Sequence, residues 1–310
     1  MAKYISKRLL QAIFVLLGVS LVAFIILHLS GDPLSLLISS GATPEQEAAI
    51  RTKMGLDDPL YIQYFRFLAQ ILHGDFGESL YYKQSTLSLI MNRLPATIQL
   101  TFAGILVAIV IGIPFGIIAA TKKGSVVDSV VRIIAICGQA IPSFWLGLMM
   151  ILIFSVKLKW LPTSGRGTFA QMIMPAITVG LFSMASVCRL TRSTMIETLK
   201  TDYIRTAKAK GLHKARIIVV HALRNSLLPV VTTIGMEIGH LLGGTLLTET
   251  IFSWPGIGSL AVQAITNRDY PLVQTAVLIT AFMFVIVNLI VDLLYAVIDP
   301  RIDVTNAKLE

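Results

Sequence analysis

What most limits this chain is a pattern of spacing: six apolar stretches, each about as long as a bilayer is thick, separated by segments that hold most of the charge. They are Leu9–Leu29, Ala96–Ala120, Ile133–Val156, Met172–Cys188, Leu227–Leu247 and Leu272–Ile298. Roughly 20 apolar residues in a helix cross the hydrocarbon core. Backbone amides and carbonyls find no water there, so a spanning segment must satisfy its own hydrogen bonds as a helix. The composition agrees, with 55% hydrophobic and 14% charged residues against the roughly 25% charge of ordinary soluble domains. An all-α, polytopic membrane protein of six spans is the expected fold. The fourth stretch is short, starts near Pro175 and carries Ser183 and Ser186, so the pattern sets its ends least sharply. The N-terminus begins basic and then apolar like a signal peptide, but the run to Leu29 is too long and lacks a small-residue cleavage site, which predicts a retained first span.

The basic residues orient these spans. Lys3, Lys7 and Arg8 precede the first, Lys122, Lys123 and Arg132 separate the second from the third, and nine Lys and Arg lie from Arg189 to Arg224. Burying one of them mid-membrane costs about 2.5–3.5 kcal/mol, and positive loops stay inside. Both termini are therefore expected in the cytoplasm. The net charge of +9 reads as loops facing anionic lipid, not as a nucleic-acid surface. Cys137 and Cys188 have no partner spacing for a disulfide or zinc site and are expected to be packing residues. The predicted organisation is a spanning helix over 1–30, an extracytoplasmic loop with short helices over 31–95, a core of five spans over 96–300 that includes a cytoplasmic segment 197–226, and a cytoplasmic tail over 301–310.

In the long loop, Thr43, Pro44 and Gln46 predict a helix start and Gly55 its stop, and Pro59–Leu72 predicts a second helix that packs on the bundle or lies on the outer membrane surface. HGDFGES reads as a turn, not a phosphate loop, because it lacks Lys and a strand-to-helix setting. The densest basic run is YIRTAKAKGLHKARIIVVHALRNSLLP, residues 203–229. Its alanines favour helix to Lys210, Gly211 breaks it, and His213–Leu223 resumes it, which predicts two short helices joined at a glycine. Such a pair could face lipid, be a solvated loop or dock into a partner; the small residues Thr206, Ala207 and Ala209 favour docking by letting another surface approach closely.

RTAKAKGL followed by HALRNSLLP resembles the cytoplasmic coupling segment of ABC importer permeases, summarised as EAA, three residues, then Gly. Arg205 and Thr206 stand where Glu and the first Ala would be, Ala207 and Gly211 match, and the proline is delayed to Pro229. That form is similar to the dipeptide, oligopeptide and nickel branch, as are PLYIQYFRFL, LPATIQLT, IPSFWLG, LPTSG, TETIFSWPGIG, NRDYP and DLLYAVIDPRI. The resemblance implies a six-span permease paired with a second homologous permease and two ATP-binding subunits, fed by an extracytoplasmic binding protein. ATPase coupling would then fall on Arg205, Lys208 and Lys210 by charge, Ala207 by close approach and Gly211 by its turn. No GxxxxGK[ST] occurs, so this chain is expected not to bind or hydrolyse ATP through a P-loop; the resemblance implies a non-catalytic subunit that binds no cofactor itself, with ATP and Mg on the partner ATPases.

Ionisable groups at membrane depth usually face a bundle interior or a watery path. Glu237 and His240 share a helical face at i, i+3. They could pair with each other or line the translocation path and touch a cation; no metal site is assigned. Gly235, Gly239, Gly243 and Gly244 would let another helix approach, the partner permease being one candidate. Gln139, Asn288 and Asp292 read as helix-packing hydrogen bonders, Pro114 and Pro142 as kinks, and the eleven methionines as core filler. Trp254, Pro255, Gly256 and Gly258 belong to an outer loop that could cap the path or meet the binding protein. The substrate stays open between nickel, free or chelated, and di- or oligopeptides, with Glu237 and His240 leaning toward nickel. A cation-coupled secondary transporter is the alternative, resting on Glu237 and Asp292. An intramembrane hydrolase lacks HExxH or a paired serine: GIGS at Ser259 is not GxSxG.

Overall fold

The computed structural model describes residues 2–29, 51–52 and 57–298. The helix expected between Thr43 and Gly55, apart from the helical Arg51 and Thr52, and the tail 301–310 lie outside the described residues. The elements are α1 (Ala2–Leu29), α2 (Leu60–Leu72), α3 (Thr86–Thr121), α4 (Val126–Ala140), α5 (Ser143–Lys157), α6 (Phe169–Thr198), α7 (Asp202–Ala209), α8 (Lys214–Gly244), α9 (Leu246–Ile251), α10 (Ile257–Thr266) and α11 (Tyr270–Ile298). Among the described residues five helices are long and apolar enough to cross a membrane, and six spans result if α4 and α5 count as one broken span.

The differences from the expected spans have local causes. Pro142 breaks the third span where a kink was expected: α4 and α5 are bent by 101°. Pro142 lacks an amide to continue the ladder, and Ile141 before it is driven to φ −76°, ψ 122°. α3, in contrast, stays helical through Pro114. The helix of the fourth span, α6, is far longer than its apolar run. It starts at a capping box in which Thr168 and Gln171 satisfy each other's amides, and it continues through Arg189 and Arg192 because both find partners on α4. The second half of the basic segment is not a separate short helix. It opens α8, whose wide π turn at Ile217–Leu223 runs directly into the fifth span.

The chain forms two compact units. Among the described residues, one comprises 97–254 with 284–298, the other 2–96 with 255–283. The first is organised around α6, whose buried face includes Met184, Ala185, Val187 and Cys188. Glycines let α3 and α6 touch by backbone: a Cβ at Gly180 would sit 2.5 Å from the Gly104 carbonyl, and one at Gly116 2.7 Å from that of Cys188. Cys188 is a packing residue, whereas Cys137 lies exposed on α4.

In the second unit, α2 packs on α1: Ser20 hydrogen-bonds the Tyr64 hydroxyl (2.8 Å), and Phe24 meets Tyr64 edge-on at 5.4 Å. One side of this aromatic helix thus meets α1, while Tyr61 and Phe65 stay exposed. HGDFGES is a turn, with Gly74 at φ +80° and Gly77 at φ +77°. The turn after it is held by Asp269, fully buried, whose carboxylate accepts from the Ser79 hydroxyl and from the amides of Leu80 (3.1 Å) and Tyr81 (3.2 Å).

Candidate functional site

The nine basic residues from Arg189 to Arg224 do not form one loop. Arg189 and Arg192 belong to α6, Arg205 and Lys208 to α7, and Lys214, Arg216 and Arg224 to α8. Between them α7 is amphipathic in the literal sense. Ile204 (0% exposed) and Ala207 (8%) face a cluster with Ala120, Met195, Ile217 and Ala222. Arg205, Thr206, Lys208, Ala209 and Lys210 point outward. Two side-chain bonds reinforce the seating: Asn225 donates to the Tyr203 hydroxyl (2.8 Å), and Ser226 bonds Thr198 (2.9 Å). Ala207 is therefore corrected from a point of partner approach to a core residue, because helical periodicity turns it to the same side as Ile204; the exposed small residues are Thr206 and Ala209. Gly211 turns the chain at φ +71°, with nothing within 4 Å of where a Cβ would stand. Its glycine is required by backbone conformation, not by space.

The base of this lever is clamped. Asp128, 1% exposed, accepts a bidentate pair from Arg192, Nε at 2.7 Å and Nη2 at 2.9 Å, and the Gly124 amide at 3.0 Å. One turn away, Arg189 donates to Gln139, which in turn donates to Ser186 (3.3 Å). α6 thus carries the ion-pair clasp to α4 and leads straight into α7.

Deeper in the same unit, Glu237 and His240 do not pair with each other. Ser183 donates to Glu237 Oε2 (2.7 Å), and the His240 ring stacks on Phe182 at 6.0 Å with planes 13° apart. The glycines around them serve this chain's own last helix: a Cβ at Gly235 would lie 2.4 Å from Val291, and one at Gly239 3.4 Å from Phe284, while Gly243 has nothing within 4 Å. This redirects Gly235 and Gly239 from a partner helix to α11. Among the described residues no group of three or more His, Cys, Asp or Glu comes together as a metal would require. Exchanging Glu237 and His240 together for Gln is expected to leave the protein folded, with a loss under about 1 kcal/mol, since Gln keeps an acceptor for Ser183; thermal unfolding in detergent checks this.

Residues 112–304 match the family model described as binding-protein-dependent transport system inner membrane component, and residues 1–101 match the N-terminal model for such membrane components. The chain belongs to that family. It is 41% identical over 335 residues to the dipeptide transport system permease protein DppB of Escherichia coli strain K12, covering 97% of this chain and 99% of that protein. It is 40% identical over 315 residues to the oligopeptide transport system permease protein AppB of Bacillus subtilis strain 168, covering 98% and 100%. A chain of the MetNI methionine ABC transporter in an inward-facing crystal form has the same fold, with a TM-score of 0.57 at 16% identity over 69% of this chain and 97% of that one. The chain is thus an all-α, multi-pass ABC importer permease.

Three features of this permease escaped the sequence. Asp128 stands in a short basic linker and gives no sign that it is buried with Arg192. Glu249, 0% exposed, accepts from Thr97 (2.8 Å) and Thr245 (3.1 Å), although the outer-loop motif gave it no role. Asp269 was findable: Asp ahead of an apolar helix with Pro near its first position is an N-terminal signature. Trp254, expected among outer-loop contacts, is 1% exposed and lies with Arg166 over its ring at 6.0 Å. Phe252 packs with Met150 and Met174 in the neighbouring core.

Proposed function

We propose that this chain is one of two permease subunits of an ATP-driven importer of di- and oligopeptides, fed by an extracytoplasmic binding protein and driven by two ATPases. Both termini and the α7 segment lie in the cytoplasm, as the positive loops require. The chain itself is not an enzyme and holds no cofactor; ATP and Mg belong to the partner ATPases.

The observation that carries the coupling role is the two-faced seating of α7. Its inner face is spent on the core under Ile204 and Ala207, while Arg205, Lys208 and Lys210 remain exposed beside the Gly211 turn. A helix fixed at its base and basic on its outer side converts a push from an acidic partner surface into motion of α6 and α8 as packed units. Peptides are favoured over nickel by two considerations: the near-full-length relatives carry peptide names, and Glu237 and His240 are engaged separately by Ser183 and Phe182. A cation-coupled transporter would need an acid free to change partners, and Glu237 already has a fixed donor.

The test is uptake of a labelled dipeptide into vesicles holding the complete complex, with ion gradients collapsed and ATP supplied to the ATPase side. Wild type is expected to depend on ATP alone. Gly211→Asp, whose backbone cost is only about 1 kcal/mol, is expected at near-normal levels in the membrane with uptake down at least tenfold. Uptake at the wild-type rate by that variant would remove the docking role, and gradient-driven uptake without ATP would remove the importer.

A further inference from the structure

The break in the third span opens a cavity of about 250 Å³ inside the first unit, where α4 ends, α5 begins and α6, α8 and α9 pass by. Its polar wall is made by Gln139, Ser143, Thr178, His240 and Thr248, and no Asp, Glu, Lys or Arg lines it. It is smaller than the roughly 300–1,000 Å³ pockets of drug-sized ligands, and so suits a fragment of a longer molecule.

Two independent features point to a ligand. First, the break leaves backbone groups open. Ile141 closes on Cys137 and Leu146 on Pro142, but Pro142 supplies no side-chain cap. The remaining first amides of α5 and last carbonyls of α4 have no partner within their own helices, a condition tolerated at membrane depth where protein surrounds them or a watery cavity adjoins them. Second, Thr248 is 1% exposed, lines this cavity and makes no side-chain hydrogen bond among the described residues. Its neighbours behave otherwise: Thr245 bonds Glu249, Thr250 bonds the Leu246 carbonyl and Thr178 that of Met174. The Thr248 oxygen is not among the sealed, unpartnered side-chain atoms, which among the described residues are those of Thr101, Thr191 and Tyr270, so the hydroxyl reaches the open space of the cavity and can donate and accept there. His240 adds an imidazole that makes no hydrogen bond among the described residues and stacks on Phe182. Gln139 is already committed to Ser186 and Arg189 and acts as fixed wall.

We propose that this cavity is a station for the main chain of the passing peptide, an inference that rests on the peptide-import reading. One peptide unit offers an N–H and a C=O without net charge, matching the donors and acceptors at Thr248, His240 and the open helix ends. A bare cation would find no carboxylate. Recognition of the main chain leaves the peptide's side chains unread at this point.

The experiment uses the complete complex in vesicles, with binding protein saturated either by dialanine or by its analogue methylated on the peptide nitrogen. Wild type is expected to carry dialanine at least fivefold better than the analogue. Thr248→Val is expected to raise the KM for dialanine-loaded binding protein at least fivefold and to narrow that discrimination. Thermal stability should not fall, since no hydrogen bond within the described residues is lost with the hydroxyl. Thr248→Ser, which keeps the hydroxyl, should behave as wild type. Thr248→Val transporting both substrates as wild type does would overturn the station while leaving peptide import standing. Failure of the wild-type complex to carry dialanine at all would overturn the peptide reading and the station with it.

Discussion

Asp128→Asn is expected to destabilise the protein by about 3 kcal/mol, the low end of what breaking a buried ion pair costs. The carboxylate is 2% exposed and receives both guanidinium donors of Arg192, which keeps 22% of its side chain exposed. Asn removes the charge and one of the two acceptors, leaving Arg192 half-buried without its counter-ion. Arg132, at 3.7 Å, is too exposed to compensate and loses a partner as well. The loss is due to an uncompensated charge, so a second change that removes it should repair much of the damage: Asp128→Asn with Arg192→Gln is expected to recover at least half of the lost stability. Thermal unfolding in detergent of the single and double variants measures this. A single variant as stable as wild type would show that the clasp is dispensable.

Gly180→Ala is the second large effect, at the upper end of the roughly 1–3 kcal/mol that overpacking costs. The new methyl would stand 2.5 Å from the Gly104 carbonyl oxygen and 2.9 Å from Val107 Cβ. The first of these is backbone, so no rotamer change relieves it, and α3 must move away from α6 along an interface that Gly112 and Gly116 also bring close. Gly243→Ala is the control: with nothing within 4 Å in a helix, the same methyl is expected to gain about 0.5–1 kcal/mol. Opposite signs for the two alanines in one unfolding experiment would show that close approach, not helix propensity, sets the cost at Gly180.

The third span and the coupling segment show where local pattern stops being enough. Pro142 announced a disturbance, but a proline in an apolar run is compatible with a kink, as expected, or with the 101° break observed. The outcome depends on whether neighbouring helices can cover the freed backbone groups. In α7, alternation of small and basic residues marked the segment, yet the side on which Ala207 lies was decided by the cluster under Ile204. Glu237 and His240 were found as a pair on one face, which helical spacing guarantees, but their partners came from α6, a helix about 50 residues distant in sequence.

By itself, the sequence determined the quantities that bilayer physics reads one segment at a time. Span number and helical class follow from apolar length, because unsatisfied backbone is prohibitive in lipid. The expected side preference rests on Lys and Arg, because their charge resists crossing. The motif set of the family is likewise local in the chain. Only the tertiary structure decided which polar groups are satisfied and which are left open. The Asp128–Arg192 clasp, the burial of Glu249 and Asp269, the glycine contacts between α3 and α6, and the open hydroxyl of Thr248 each depend on residues far apart in sequence meeting at a few ångströms. Such meetings are fixed by helix packing, and no window of sequence contains both partners.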